Sequence, residues 1–371
     1  MFFTHVIADL EMCRVLPVFC TNWRLFHILV LLILIVVIIF VLLNILDIKS
    51  QSSNSNILLE MHDSLRAAIA TSVINDSSGE YRIVKWLFKP VHVSAGDTTL
   101  ISQCSLSRLH RLFDARLAWD GPISLAIFVE SANSLSFAVN HLQKVQLCMP
   151  HALREVRIQL VVPLSSLPDC CPELTNVSCS SFLPAFERHW AGMKNYDSIV
   201  DYPNNLLRNV AIDAAVSDYI FVVDIDMIPS SGLFIQFREF IDKHPTEEKV
   251  AFIVPAFEMK LEAEMPVDRQ ALLQMWDHGI IQPFYTLMCW KCQRYTDYDM
   301  WHNLTLKDMQ QLNIAYFVEW HDPWEPFYIV DQHAPRYDEN FKNYGFNRIS
   351  QVSHMSIICY CFISTKCSVP C

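Results

Sequence analysis

Tyr219-Ile220-Phe221-Val222-Val223-Asp224-Ile225-Asp226-Met227-Ile228-Pro229 is the stretch on which the fold turns. Five consecutive β-branched and aromatic residues predict a strand covered on both faces. Two carboxylates two residues apart close it, and Pro229 stops further pairing. In an extended segment residues i and i+2 share a face, so Asp224 and Asp226 are read as aiming at one divalent cation. Oxygen ligands suit Mg²⁺ or Mn²⁺. The plainer reading is a turn-forming Asp pair that caps the next helix; the buried strand before it and the Pro after it favour the metal.

Around this stretch the periodicity alternates between strand and helix. Ile123 to Val129, after Gly121-Pro122, predicts a first core strand, and Val156 to Val162 a second, with Ser131 to Gln146 as a helix between them. Strand, helix, strand indicates a parallel sheet. Asn204 to Ala215 and Leu233 to Asp242 predict helices on either side of the Tyr219–Val223 strand. Val250 to Val254 predicts a fourth strand, stopped by Pro255. The class is α/β. Such sheets bind ligands beyond the carboxyl ends of their strands, where Asp224 and Asp226 stand. There is no Gly-rich dinucleotide fingerprint and no internal repeat.

The chain has 371 residues, 52% of them hydrophobic, enough for one large core. A formal net charge of −11 without a basic, aromatic-studded patch speaks against nucleic acid as a partner. Phe26 to Leu46 carries no charged residue and has the length of a bilayer-crossing helix. The expected layout is a cytoplasmic tail over 1–25, a transmembrane signal-anchor over 26–46 and a Ser/Asn-rich stem over 47–77. A membrane-anchored, lumenal catalytic domain follows. Sequons at Asn75, Asn176 and Asn303 and a total of 13 Cys fit an oxidising lumen. Cys289-Trp290-Lys291-Cys292 predicts a local structural disulfide, or two bridges to other Cys, rather than a zinc site.

Chemistry beyond the carboxylate pair gathers in two places. Arg208 and Asn209 lie on the helix before the strand, where Arg208 can reach a donor's phosphates or sugar carboxylate, or pair with a nearby Asp. Trp320-His321-Asp322-Pro323-Trp324-Glu325-Pro326-Phe327-Tyr328 is dense in rings and carboxylates. Rings stack on sugars, and a carboxylate can deprotonate an attacking hydroxyl. Glu325 is the first candidate base and Asp322 the second. The same loop also reads as a rigid, Pro-bounded segment packed by its own aromatics.

Several segments together make the chain resemble glycosyltransferase family 49. They are Ser78-Gly79-Glu80-Tyr81-Arg82, Tyr202 to Asn209, Val222 to Ser230, Val254 to Glu258, Asp322 to Tyr328 and Tyr344-Gly345-Phe346-Asn347-Arg348-Ile349-Ser350-Gln351. The resemblance implies a GT-A-type nucleotide-sugar-binding fold over 78–351, with a mixed, mainly parallel central sheet. It implies that Asp224 and Asp226 hold Mn²⁺ and that the Asp322–Tyr328 loop and the Tyr337-Asp338-Glu339-Asn340-Phe341 segment lie near the active site; Asp224, Arg208 and Asn209 are the expected donor-binding residues. The resemblance further implies UDP-glucuronic acid as donor, with inverting β-1,4 transfer to a xylose-terminated O-mannosyl glycan on α-dystroglycan; the alternatives are a same-fold transferase with another donor or acceptor, or a catalytically inactive membrane-anchored partner of an active transferase. LARGE-type glycosyltransferases are the implied partners and the Golgi membrane the implied location, as a single-pass type II protein. The likeness stops at Gln351. Family members continue with a later His that resembles a third metal ligand, whereas 352–371 reads as a divergent, Cys-rich tail.

Overall fold

The computed structural model describes residues 31–42, 74–85, 93–164, 179, 201–246, 249–304, 312–343 and 345–366. The predicted tail over 1–25 and residues 47–73 of the stem expected over 47–77 lie outside them. Met1–Glu60 and Met61–Cys371 are separate units. In the first, residues 31–42 form a helix. The expected membrane-crossing helix over 26–46, and the single-pass Golgi-membrane placement resting on it, must be corrected. Among the described residues no helix is long and apolar enough to cross a membrane.

In the second unit ten strands join one sheet: β1 (Ile74–Asn75), β2 (Tyr81–Val84), β3 (Thr98–Ser105), β4 (Ile123–Phe128), β5 (Val156–Pro163), β6 (Tyr219–Val222), β7 (Val250–Val254), β10 (Asn313–Val318), β11 (Phe327–Asp331) and β12 (Cys361–Lys366). A two-stranded hairpin, β8 (Phe257–Met259) with β9 (Ile281–Pro283), stands beside it. The order is β1-β2-β5-β4-β3-β6-β11-β7-β12-β10. The run β5-β4-β3-β6 is parallel, β11 is antiparallel to both β6 and β7, and β12 is parallel to β7. This is the mixed, mainly parallel sheet of a GT-A-like fold.

Strict alternation along the strands builds two cores. Ile123, Leu125 and Ile127 of β4, with Ile158 and Leu160 of β5 and Phe252 of β7, face one side. They pack there against α1 (Arg111–Ala118), α2 (Ala132–Cys148) and, later in the chain, the helix Leu233–Lys243. Ala126, Phe128, Ile220, Val222 and Ile253 face the other side. They are covered by α3 (Asn204–Asp213); the helix Leu233–Lys243 is α4. Among the described residues of this unit the remaining α-helices are α5 (Arg269–Asp277), α6 (Thr286–Gln293), α7 (Tyr298–Asn303) and α8 (Ile349–Ile357).

Two features depart from the sequence reading. The first core strand is β3, not the strand at Ile123. Its sequence, Thr98-Thr99-Leu100-Ile101-Ser102-Gln103-Cys104-Ser105, is too polar to be recognised by hydropathy, yet every residue is buried. Its hydroxyls find partners inside: Ser102 Oγ donates to the Val223 carbonyl at 3.0 Å, and Thr99 Oγ1 pairs with Ser217 Oγ at 2.5 Å. The second concerns 352–371, expected as a tail beyond the domain. Residues 352–357 continue α8, placing Val352 and Met355 in the α3-side core, and 361–366 form β12 between β7 and β10. Residues 367–371 lie outside the described set.

Candidate active site

At the carboxyl ends of the parallel strands lies a cleft of about 670 Å³, lined among others by Gln103, Tyr202, Arg208, Asp224, Asp226, Glu258, Tyr285, Glu325 and Arg348. Strand β6 stops at Val222, and Asp224 opens a tight turn whose carbonyl accepts the Met227 N–H at 2.9 Å. The two carboxylates therefore share the cleft through a turn, not through the extended alternation read from the sequence. Ile225 between them is buried and anchors the turn in the core, while Asp226 is exposed.

Asp224 is held by two arginines. Arg208 Nη2 stands 3.2 Å from Oδ1 and Arg348 Nη2 3.2 Å from Oδ2. The guanidinium-bearing side chains are only 4% and 8% exposed, against 36% for Asp224, so the pair forms the floor of the cleft. Burial pushes the Asp224 carboxyl up, but the Arg348 and Arg208 charges and a hydrogen bond from Gln103 outweigh it and hold it at about 2. Burial also opposes the Arg348 charge, and Asp224, Tyr337 and Glu325 more than offset that. Arg208 is aimed by its own helix: Nη1 donates to Asn205 Oδ1 at 2.9 Å, and the guanidinium lies over the Tyr337 ring at 5.3 Å.

Glu325 reaches the cleft because β11 runs antiparallel between β6 and β7. Its first residue, Phe327, pairs with Val254 at the carboxyl end of β7, so the residues just before it arrive beside Asp224. The Glu325 N–H donates to the Cys292 carbonyl at 2.8 Å, and Gln293 Nε2 donates to the Glu325 carbonyl at 2.7 Å. Cys292 is bonded to Cys289, as the CxxC spacing suggested. Burial raises the Glu325 pKa above the ordinary carboxylate value, against the lowering pull of Arg348 and Arg208. A carboxylate with this shift suits proton uptake.

Two expected site residues lie elsewhere. Asp322 is exposed, precedes a cis-proline and is outside the cleft lining. Asn209 is buried against the 337–339 segment. Its Nδ2 donates to the Tyr337 carbonyl at 2.8 Å and to Glu339 at 2.9 Å, and its Oδ1 accepts the Tyr337 N–H at 2.9 Å. Conversely, Arg348, Gln103, Tyr202, Glu258 and Tyr285 enter the cleft without having been singled out. For Arg348 a signal existed, since it sits in the Tyr344–Gln351 segment that carries the resemblance.

A divalent cation fits the donor set in kind. Such ions take one or two carboxylates and complete their shell with water and substrate phosphate. Arg208, Arg348 and Gln103 take three of the roughly four lone-pair sites of Asp224 and leave one for an ion. Among the described residues no group of three His, Cys, Asp or Glu gathers as a protein-only metal site.

A family model described as "Glycosyl-transferase for dystroglycan" matches residues 97–364, from β3 through α8 into β12. The chain belongs to this family. Beta-1,4-glucuronyltransferase 1 of Danio rerio is 36% identical over 316 residues, covering 80% of this chain and 73% of that protein. The Homo sapiens protein of the same name is 34% identical over 303 residues, covering 79% and 71%. Xylosyl- and glucuronyltransferase LARGE1 of Homo sapiens is 28% identical over 270 residues, 72% of this chain but 30% of that protein. The protein is thus a glycosyltransferase with a glucuronyltransferase-family function, and metal-dependent catalysis accords with that membership.

Proposed function

We propose that the protein transfers glucuronate from UDP-glucuronic acid, with inversion and in β-1,4 linkage, to a xylose-terminated O-mannosyl glycan of the kind made on α-dystroglycan. The observation that carries this reading is one cleft, in a member of this family, that joins Asp224 and Asp226 to two buried arginines and the desolvated carboxylate of Glu325. Asp224 and Asp226 would hold Mn²⁺, whose charge, when bound, stabilises the leaving diphosphate. Arg208 binds donor anion from the cleft floor. Glu325 takes the proton of the attacking acceptor hydroxyl as its oxygen bonds to the anomeric carbon; the bond from that carbon to the diphosphate breaks and UDP leaves. Asp322 as base is the weaker choice, being outside the cleft. Tyr285, stacked on Phe284 with ring centres 4.0 Å apart, offers an aromatic face to an acceptor sugar. LARGE-type glycosyltransferases would then act on the product.

The test is release of UDP by the full-length chain with Mn²⁺ and a β-xyloside acceptor. Turnover of UDP-glucuronate, but not of UDP-xylose or UDP-N-acetylglucosamine, is expected. Equal turnover of all three, or turnover indifferent to chelation of the metal, overturns the reading.

A further inference from the structure

Two guanidiniums share one carboxylate at the bottom of the cleft, and both keep unused donors. Arg208 Nε and Arg348 Nη2 are buried without a hydrogen bond, although Arg348 stands 3.2 Å from Asp224. A buried cation with an unfilled donor set is costly until an anion completes it. Asp224 supplies a single negative charge, and on the reading above it also serves a metal ion.

The donor proposed above carries two negative charges on its diphosphate and one on its uronate. A divalent cation at Asp224 and Asp226 balances the first two. The third needs a cation at the reacting sugar, away from the phosphates.

The two arginines are not equivalent in this respect. Arg208 is tied to Asn205 on α3 and leans on Tyr337. Arg348 lies over the ring of Phe327, 4.2 Å from its centroid, and Phe327 is two residues beyond Glu325. Arg348 touches Asp224, read as a metal ligand, and is the strongest cationic influence on Glu325, read as the base. Its loop is fixed from outside, because Asn205 Nδ2 donates to the Asn347 carbonyl at 3.0 Å. A planar guanidinium presents two parallel donors to a carboxylate, a geometry that a neutral hydroxymethyl group cannot match.

We propose that Arg348 selects the donor's uronate carboxylate, exchanging its contact with Asp224 for that anion when the metal and donor bind. The assignment rests on the donor reading given under Proposed function. It makes Arg348 a specificity-determining residue, with Arg208 left to the phosphates.

Calorimetric binding of UDP, UDP-glucose and UDP-glucuronate to the full-length chain, with Mn²⁺, tests it. Wild type is expected to prefer UDP-glucuronate to UDP-glucose. Arg348→Gln is expected to erase that preference by about tenfold or more while UDP affinity changes by less than about twofold. Equal weakening of all three ligands makes Arg348 a phosphate contact and overturns the assignment, as does a preference that survives the substitution. A wild type that binds both sugars alike overturns the donor reading itself, and this assignment with it. If Arg348→Gln does not fold, a wild-type crystal structure with Mn²⁺ and UDP-glucuronate decides. A guanidinium within hydrogen-bond distance of the uronate sustains the proposal, and one still on Asp224 or on a phosphate overturns it.

Discussion

Asp226 and Glu325 carry separable burdens, and substitutions can tell them apart. Asp226 is exposed and free to meet a cation, so Asp226→Asn removes a ligand without disturbing the core. Mn²⁺-dependent UDP binding is expected to weaken by at least about tenfold, read by titration with and without the metal. Unchanged binding would remove Asp226 from the metal site. Glu325→Gln should leave UDP binding intact and lower turnover by about 10²–10⁴-fold, the usual worth of a positioned base. Retained turnover would move the base elsewhere. The pH profile carries a sign. Burial raises the Glu325 pKa, and a base must be deprotonated to act. Transfer should therefore fall on acidification beginning above the ordinary glutamate range, and Glu325→Gln should abolish that limb. Asp224 and Asp226 were legible as candidates because they follow a punctuated apolar run, and Glu325 because its loop is dense in rings and carboxylates; all three line the cleft. Arg348 was flagged only by lying in the Tyr344–Gln351 segment, because nothing local tells a loop Arg which carboxylate it will meet.

Two local arrangements give the elements their precision. Gly121 leads into β4 beside Phe234 of α4, and a Cβ there would stand 2.4 Å from that ring. That ring is wedged edge-on against buried Trp119, with centroids 5.5 Å apart, so it has little room to retreat. Gly121→Ala is expected to cost about 1–3 kcal/mol by thermal or denaturant unfolding; a neutral result would show the helix yielding instead. The Cys289–Cys292 bridge acts on the site through backbone, since the Cys292 carbonyl and Gln293 side chain hold Glu325 on either side. Replacing both cysteines by Ser should reduce kcat about ten- to a hundredfold with UDP affinity preserved, because small misplacements of a reacting group are expensive. A fall in UDP affinity of the same size would mean that the bridge supports the donor side as well. Strands β4 to β7 and helices α2 to α4 followed from periodicity and breakers nearly to the residue. Strand β3 did not, because its Thr, Ser and Gln side chains become buried only once Ser217, Val223 and Tyr202 are in place to satisfy them.

The sheet closes late in the chain. Strand β12 lies between β7 and β10, pairing Cys361 with Val250 and Ile363 with Phe252. Val352, Met355, Phe362 and Ile363 are all buried. At about 1.5–3 kcal/mol each, their loss compares with the about 5–15 kcal/mol that keeps a domain folded. A chain ended after Gln351 is therefore expected to show no cooperative unfolding transition, and a sharp one would show that the α8–β12 segment is dispensable. Sequence alone was enough for the α/β class, the parallel core, the position of the acidic pair at a strand end and the family, because these depend on short runs and their spacing. It was not enough for the membrane-crossing helix it suggested, nor for which residues meet in the cleft. The antiparallel insertion of β11 between β6 and β7 brings Glu325 to the carboxyl ends of the strands and leaves Asp322 outside. The approach of the loop before α8 sets Arg348 against Asp224, while Asn209 turns away to the 337–339 segment. Those choices belong to strand order and packing, where partners far apart in the chain compete for the same buried volume, and no local pattern records the outcome.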